Sequence, residues 1–214
     1  MTAIKAVLDK VAPRITRLKT YLANISSLCT ELEIHIPWLL PTGLKVRQSY
    51  MQEKTVKIKP FSYNRTQINL STYIKKIDLN KQTRAFMPNL IHSLDATSLM
   101  LLLDKYFNNS EFLIKNIYTI HDCFAMPMTH VEFIIDTLRK VYISLYSNSR
   151  YLEKLDKGVL DSIACHYGDI ELDREKNILT ITQDEPQKYY YPNIKEVLGE
   201  EFPTIEPNSY YLLI

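Results

Sequence analysis

Two short apolar runs, Lys115–Ile120 and Cys123–Met126, flank the polar pair His121-Asp122, and strongly helical segments lie on either side of them. Runs this short suit strands, so the segment reads as a tight antiparallel β-hairpin with His121 and Asp122 at its tip, although the Asn-Gly turn signal is missing. Upstream, Leu90, Ile91, Leu94, Leu99 and Leu102 or Leu103 recur at helical spacing, predicting a helix over about Pro88 to Tyr106. Downstream, Thr129 and Glu132 have the spacing of a capping box. Val131, Ile134, Ile135, Leu138, Tyr142 and Leu145 then follow with a helical period. A further helix is expected from about Arg150 to His166. Helix, antiparallel hairpin, helix argues for an α+β fold.

The N-terminal stretch reads as helix, with Ile4, Val7, Leu8 and Val11 in register and Ile15, Leu18, Leu22 and Ile25 continuing after Pro13. Proline inside such a pattern kinks or restarts a helix. Short alternating patterns at Val46–Tyr50 and Thr55–Lys59 predict strands, and Ile68–Ile77 reads as extended or irregular. From Gly168 the chain is a charged tail with no assigned structure. Three cysteines (Cys29, Cys123 and Cys165) are odd in number and far apart, which argues against a disulfide framework or a zinc cluster and for a reducing compartment. No run of about 18 apolar residues is present, so no membrane-spanning helix is expected, and the N-terminus lacks the pattern of a secretory or transit leader.

The net charge of +2 hides an asymmetry. Residues 45–84 carry ten Lys or Arg against two acids, a balance of +8, while residues 85–214 carry eleven against nineteen, a balance of −8. A basic stretch of this kind is a candidate phosphate-contacting surface, with a solvated face as the even alternative.

Asp122 is the leading candidate for chemistry. A carboxylate at a hairpin tip is rigidly held yet accessible, which suits a hard divalent cation such as Mg²⁺. Nucleotidyl transfer commonly uses two metal ions about 4 Å apart, and a single Asp cannot build that site. On the dipeptide alone, a turn residue is the commoner reading. His92 and Asp95 form a second constellation at i, i+3, projecting from one face of the predicted helix. They can hydrogen-bond a sugar or a base edge, or merely cap the first turn.

The stretch Pro88-Asn89-Leu90-Ile91-His92-Ser93-Leu94-Asp95-Ala96, followed by Ile120-His121-Asp122-Cys123-Phe124, resembles the palm of phage-type single-subunit DNA-directed RNA polymerases. That family includes mitochondrial enzymes and those of fungal mitochondrial plasmids. The segment from Trp38 to Tyr50 is similar to the family's Trp-x-Thr-Pro-x-Gly-x-Pro-Val-x-Gln-x-Tyr motif, with Leu40 and Lys45 departing from it.

The resemblance implies that Asp122 is one of two metal-binding aspartates and that His121 supports the nascent RNA end. It implies that His92 lies near the RNA 3′ end with Asp95 bracing it. Lys81, Gln82 and Arg84 become candidates for nucleic-acid backbone contact, and the final Tyr210-Tyr211-Leu212-Leu213-Ile214 is similar to an aromatic C-terminal foot. The implied cofactor is Mg²⁺, and the implied partners are DNA template, nascent RNA, nucleoside triphosphates and an upstream polymerase fragment, in a mitochondrial setting.

In these terms residues 1–45 are a helical, fingers-side lead-in, 46–166 a palm core and 167–214 a charged tail. Motifs for the first catalytic Asp, the triphosphate-binding Lys and the ribose-selecting Tyr are not found in these 214 residues, so the chain alone is expected not to synthesise RNA. The alternatives are a non-catalytic nucleic-acid-binding module and, further off, a metal-dependent phosphohydrolase using His92 and the His121-Asp122 doublet.

Overall fold

A computed structural model describes residues 7, 10–59, 67–120, 123–146, 150–182 and 186–199. His121 and Asp122 lie outside these residues, as does the C-terminal Tyr210–Ile214 segment. The fold is α+β, with helices and small antiparallel sheets in two compact units. One unit comprises Met1–Pro37, Arg47–Pro88 and Val159–Asn193; the other comprises Trp38–Val46, Asn89–Gly158 and Ile194–Ile214.

Helix α1, Pro13–Glu31, starts with proline in its first turn, where a missing N–H costs nothing. Pro13 therefore restarts the helix after a break at Ala12. Tyr21, Leu22, Ile25, Leu28 and Cys29 form its buried stripe. Strands β1 (Ile36–Leu39) and β2 (Lys45–Gln48) pair across the turn Pro41-Thr42-Gly43. Gly43 has φ +87 there, a conformation open to glycine at little cost. Its N–H donates to the Leu40 carbonyl at 2.8 Å, and Leu40 N–H donates to Leu44 at 2.9 Å.

Strands β3 (Met51–Ile58) and β4 (Ile68–Ile77) form a long antiparallel hairpin with pairs such as Lys54↔Thr72, Val56↔Leu70 and Ile58↔Ile68. Of the two readings left open for Ile68–Ile77, extended or irregular, the extended one holds: it is a ten-residue strand, with one register shift opposite Met51–Glu53. Most of the hairpin is exposed on both faces, which removes the half-buried alternation that marks strands in sequence.

Helix α2 runs from Leu79 to Asn108, starting nine residues before the expected Pro88 and keeping that proline inside it. The start signal is Asp78, whose carboxylate accepts the Lys81 N–H at 3.0 Å in the manner of an N-cap. By length and composition α2 could cross a bilayer, against the expectation from counting apolar runs. Its Phe86, Leu90, Leu102 and Tyr106 are buried in protein, and it carries Lys81, Arg84, His92, Asp95, Asp104 and Lys105 along its length.

In the second unit, β5 (Tyr118–Ile120) and β6 (Cys123–Ala125) pair antiparallel, as the two apolar runs predicted. A single 3-10 turn, Met128–His130, then precedes α3, Val131–Tyr146. Thr129 lies inside that turn, so the helix expected from the capping-box spacing is preceded by a tighter one. His130 is buried because its Nδ1 sits 2.8 Å from the Tyr106 hydroxyl, with the Phe112 ring 3.9 Å away. Leu102, Tyr106, Ile134 and Leu138 form the core cluster, with Phe112, Ile117, Phe124, Met126, Phe133 and Tyr142 packed around it.

Helix α4, Arg150–Tyr167, matches its expected span. The charged tail is a three-stranded antiparallel sheet, β7 (Ile170–Asp173), β8 (Ile178–Ile181) and β9 (Gln187–Tyr190), followed by the short helix α5, Ile194–Leu198. Leu179 and Ile181 supply its buried face. The Asp173 carboxylate accepts the Glu175 and Lys176 N–H groups at 3.1 Å, closing the β7–β8 turn, and Lys176 adds an ion pair at 3.3 Å. These bonds hold the Asp173 carboxyl below its usual range. Much of the tail's charge is turn chemistry and a solvated sheet face.

Candidate nucleic-acid-binding cleft

The motif beginning at Trp38 reaches helix α2 through one hydrogen bond. The buried Trp38 indole donates from Nε1 to Ser93 Oγ at 2.9 Å, and that hydroxyl donates to the Leu90 carbonyl at 2.7 Å. Ser93 sits between His92 and Asp95, so the indole fixes the rotation of α2 at the point where the two candidate residues emerge. Thr97 Oγ1 donates to the Ser93 carbonyl at 2.8 Å, and Ser98 Oγ to the Asp95 carbonyl at 2.6 Å. Both hydroxyls are thus turned back onto the helix's own carbonyls.

His92 and Asp95 are both exposed, and both line a cleft of about 440 Å³ with Ala96, Ser98, Leu99, Phe124 and Tyr142. The i, i+3 spacing thus delivers the shared face expected of it. Phe124 comes from β6, two residues after Asp122. Tyr142 comes from α3, and its ring stacks on Tyr146 with centroids 5.9 Å apart and planes 20° from parallel. Burial, then Tyr142, then Asp95 push the Tyr146 phenol above its usual range. Burial and then Tyr146 raise Tyr151 likewise. Tyr142 was taken from the sequence as a core position of α3; the signal that it also faces a cleft is absent from a hydrophobic period.

The other candidates belong to the first unit. Lys81 and Arg84 are exposed. Lys81 pairs with Glu53 at 3.3 Å and lies 5.3 Å from the Tyr50 ring centroid. Gln82 is fully buried. Its Nε2 donates to the Gln48 carbonyl at 3.1 Å, its Oε1 accepts the Tyr50 N–H at 3.0 Å, and its own carbonyl accepts Gln48 Nε2 at 2.8 Å. A side chain so committed has nothing to offer a phosphate, so the expected backbone contact is corrected to a structural role.

Among the described residues no three His, Cys, Asp or Glu side chains converge. The exposed thiols are Cys123 and Cys165; Cys29 is buried, and burial pushes its thiol up to about 12.

The profile of the DNA-dependent RNA polymerase family matches residues 1–197. A probable DNA-directed RNA polymerase of Podospora anserina is 42% identical, over 98% of this chain and 22% of that protein. One of Agaricus bitorquis is 33% identical, over 73% of this chain and 14% of that protein. The mitochondrial DNA-directed RNA polymerase of Homo sapiens is 26% identical, over 64% of this chain and 11% of that protein. The chain thus spans about a fifth or less of the length of these relatives. By this extent of agreement, it belongs to the phage-type, single-subunit DNA-dependent RNA polymerase family.

Proposed function

We propose that this chain supplies one half of the palm of a DNA-directed RNA polymerase, with part of its fingers region, and that Asp122 ligates catalytic Mg²⁺. The observation that carries the proposal is local: β5 and β6 pair through Ile120↔Cys123, the residues on either side of His121-Asp122 in sequence, within a chain whose family performs nucleotidyl transfer. An Asp carboxylate is the oxygen donor that Mg²⁺ prefers. Among the described residues no cluster of three such ligands is found, and in this reading further donors complete the site in a whole polymerase. When bound, the metals lower the charge barrier to in-line attack on a triphosphate. The residues of this chain contribute position: His92 and Asp95 hold the sugar or base edge of a bound strand, and His121 supports the growing RNA end. Lys81 and Arg84 meet backbone phosphate. The proposed setting is mitochondrial transcription on a DNA template, plasmid-borne templates included.

Mixing the chain alone with template, nucleoside triphosphates and Mg²⁺ is expected to yield no transcript. Grafting it in place of the matching stretch of the Podospora anserina relative should restore run-off synthesis. Asp122→Ala in that chimera should lower the rate by roughly 100-fold or more, as loss of a metal ligand removes several kcal/mol of charge stabilisation. An Asp122→Ala chimera as active as its parent would refute the assignment.

A second reading, a nucleic-acid-binding module without catalysis, is favoured by the basic residues 45–84. Its mark is affinity for single-stranded or hybrid nucleic acid that falls steeply with salt. The two readings are separated by whether the chimera transcribes.

A further inference from the structure

Tyr142 forms one wall of the cleft that holds His92 and Asp95, and Phe124 forms another. One helical turn further along α3, Tyr146 lies 5.9 Å from Tyr142 with its plane tilted by only 20°. Both values fall within the range of an offset aromatic stack. The pair is therefore a preformed two-ring stack, one member of which borders open space. A flat aromatic ligand entering the cleft would make it a stack of three.

The chemistry of the lining narrows the ligand. Among the described residues no Lys or Arg lines the cleft, and the carboxylate among them, Asp95, repels phosphate. A base or a ribose finds an aromatic face together with an imidazole and a carboxylate for its polar edge. The volume of about 440 Å³ lies within the range of small-ligand sites and leaves room for one nucleoside. A base inside a duplex has both faces covered by its neighbours, so only an unpaired or terminal base can reach a protein ring.

We infer that Tyr142, backed by Tyr146, is a nucleic-acid-contacting residue that stacks on one unpaired or strand-terminal base of an RNA whose sugar or base edge meets His92 and Asp95. The inference rests on the reading of His92 and Asp95 as nucleic-acid contacts.

The test titrates the full chain into a short single-stranded RNA with 2-aminopurine at its 3′ end, whose fluorescence falls when the base stacks. A hybrid duplex carrying the probe in its interior is the control. Wild type and Tyr142→Phe should quench the terminal probe equally and bind alike, because the ring and not the hydroxyl is at work. Tyr142→Leu, which keeps the apolar bulk, should lose the quench and bind roughly tenfold more weakly. His92→Ala should bind more weakly yet still quench once saturated, and the interior probe should not respond. Should Tyr142→Leu prove misfolded by circular dichroism, Tyr142→Trp takes its place and must retain the quench. Unchanged quench and affinity in Tyr142→Leu, or loss of quench in Tyr142→Trp, with His92→Ala weakened, overturns the role of Tyr142 and leaves that of His92 standing. Unaltered binding in both the Tyr142 and His92 variants overturns the reading beneath it as well.

Discussion

The Gln82 side chain takes up two bonds that a neighbouring strand would otherwise supply, accepting from Tyr50 N–H and donating to the Gln48 carbonyl at the end of β2. Gln82→Met should keep the volume and strand both backbone groups, costing about 2–4 kcal/mol in urea denaturation. A polar residue in a basic stretch looks like a ligand contact in sequence, and only its 34-residue separation from Gln48 in the chain reveals otherwise. His35 makes a different prediction. Its Nδ1 is buried without a hydrogen-bond partner among the described residues, and burial, then Arg47, lower its affinity for a proton. The unfolded chain, with His at its ordinary value, binds that proton more readily. Stability should therefore be intact above about pH 6.5 and fall as the pH drops below it. Thermal melts of His35→Asn should show a flatter decline between about pH 7 and 5.

Among the elements, the β3–β4 hairpin is the one that packing explains least. It is exposed along most of both strands, and it carries Lys54, Lys57, Lys59, Lys75 and Lys76. Replacing residues 53–75 by a short Gly-containing turn should shift the melting temperature by no more than about 3 °C, since little buried surface is lost. The same deletion removes four of those lysines, so the salt dependence of nucleic-acid binding should become shallower by up to about 3 in log–log slope. An element with one buried face, such as α3, was legible because burial imposes a period on the sequence, and the largely exposed β5–β6 hairpin was legible from its two short apolar runs. The hairpin β3–β4 was legible only in part, as a strand over Thr55–Lys59, because exposed pleats tolerate Lys, Asn and Glu on either face; the β7–β9 sheet was hidden by the charge that surrounds its few buried positions, Leu179 and Ile181. Helix α2 was legible only from Pro88 onward, because a proline that stays within a helix looks like its start.

Across the whole molecule, the apolar surface is uneven. Leu113 is 100% and Met128 92% exposed in the second unit, against 78% for Val11 and 74% for Tyr73 in the first. Tyr118 borders a hollow of about 550 Å³ with Phe107, Ile117, Met126 and Pro127. Large exposed apolar side chains favour self-association where they form a patch. Leu113→Lys with Met128→Lys should lower the association seen by light scattering while leaving the thermal transition within about 1–2 °C, as fully exposed side chains contribute little to folding.

The distribution of thiols gives the β5–β6 hairpin a spectroscopic handle. Cys29 is shielded and its thiol stays protonated at neutral pH, so Cys165→Ser leaves Cys123, directly beside Asp122, as the one thiol open to a nitroxide reagent. Paramagnetic Mn²⁺ in place of Mg²⁺ would broaden the signal of a label there, reporting how near the metal settles without any need for catalysis.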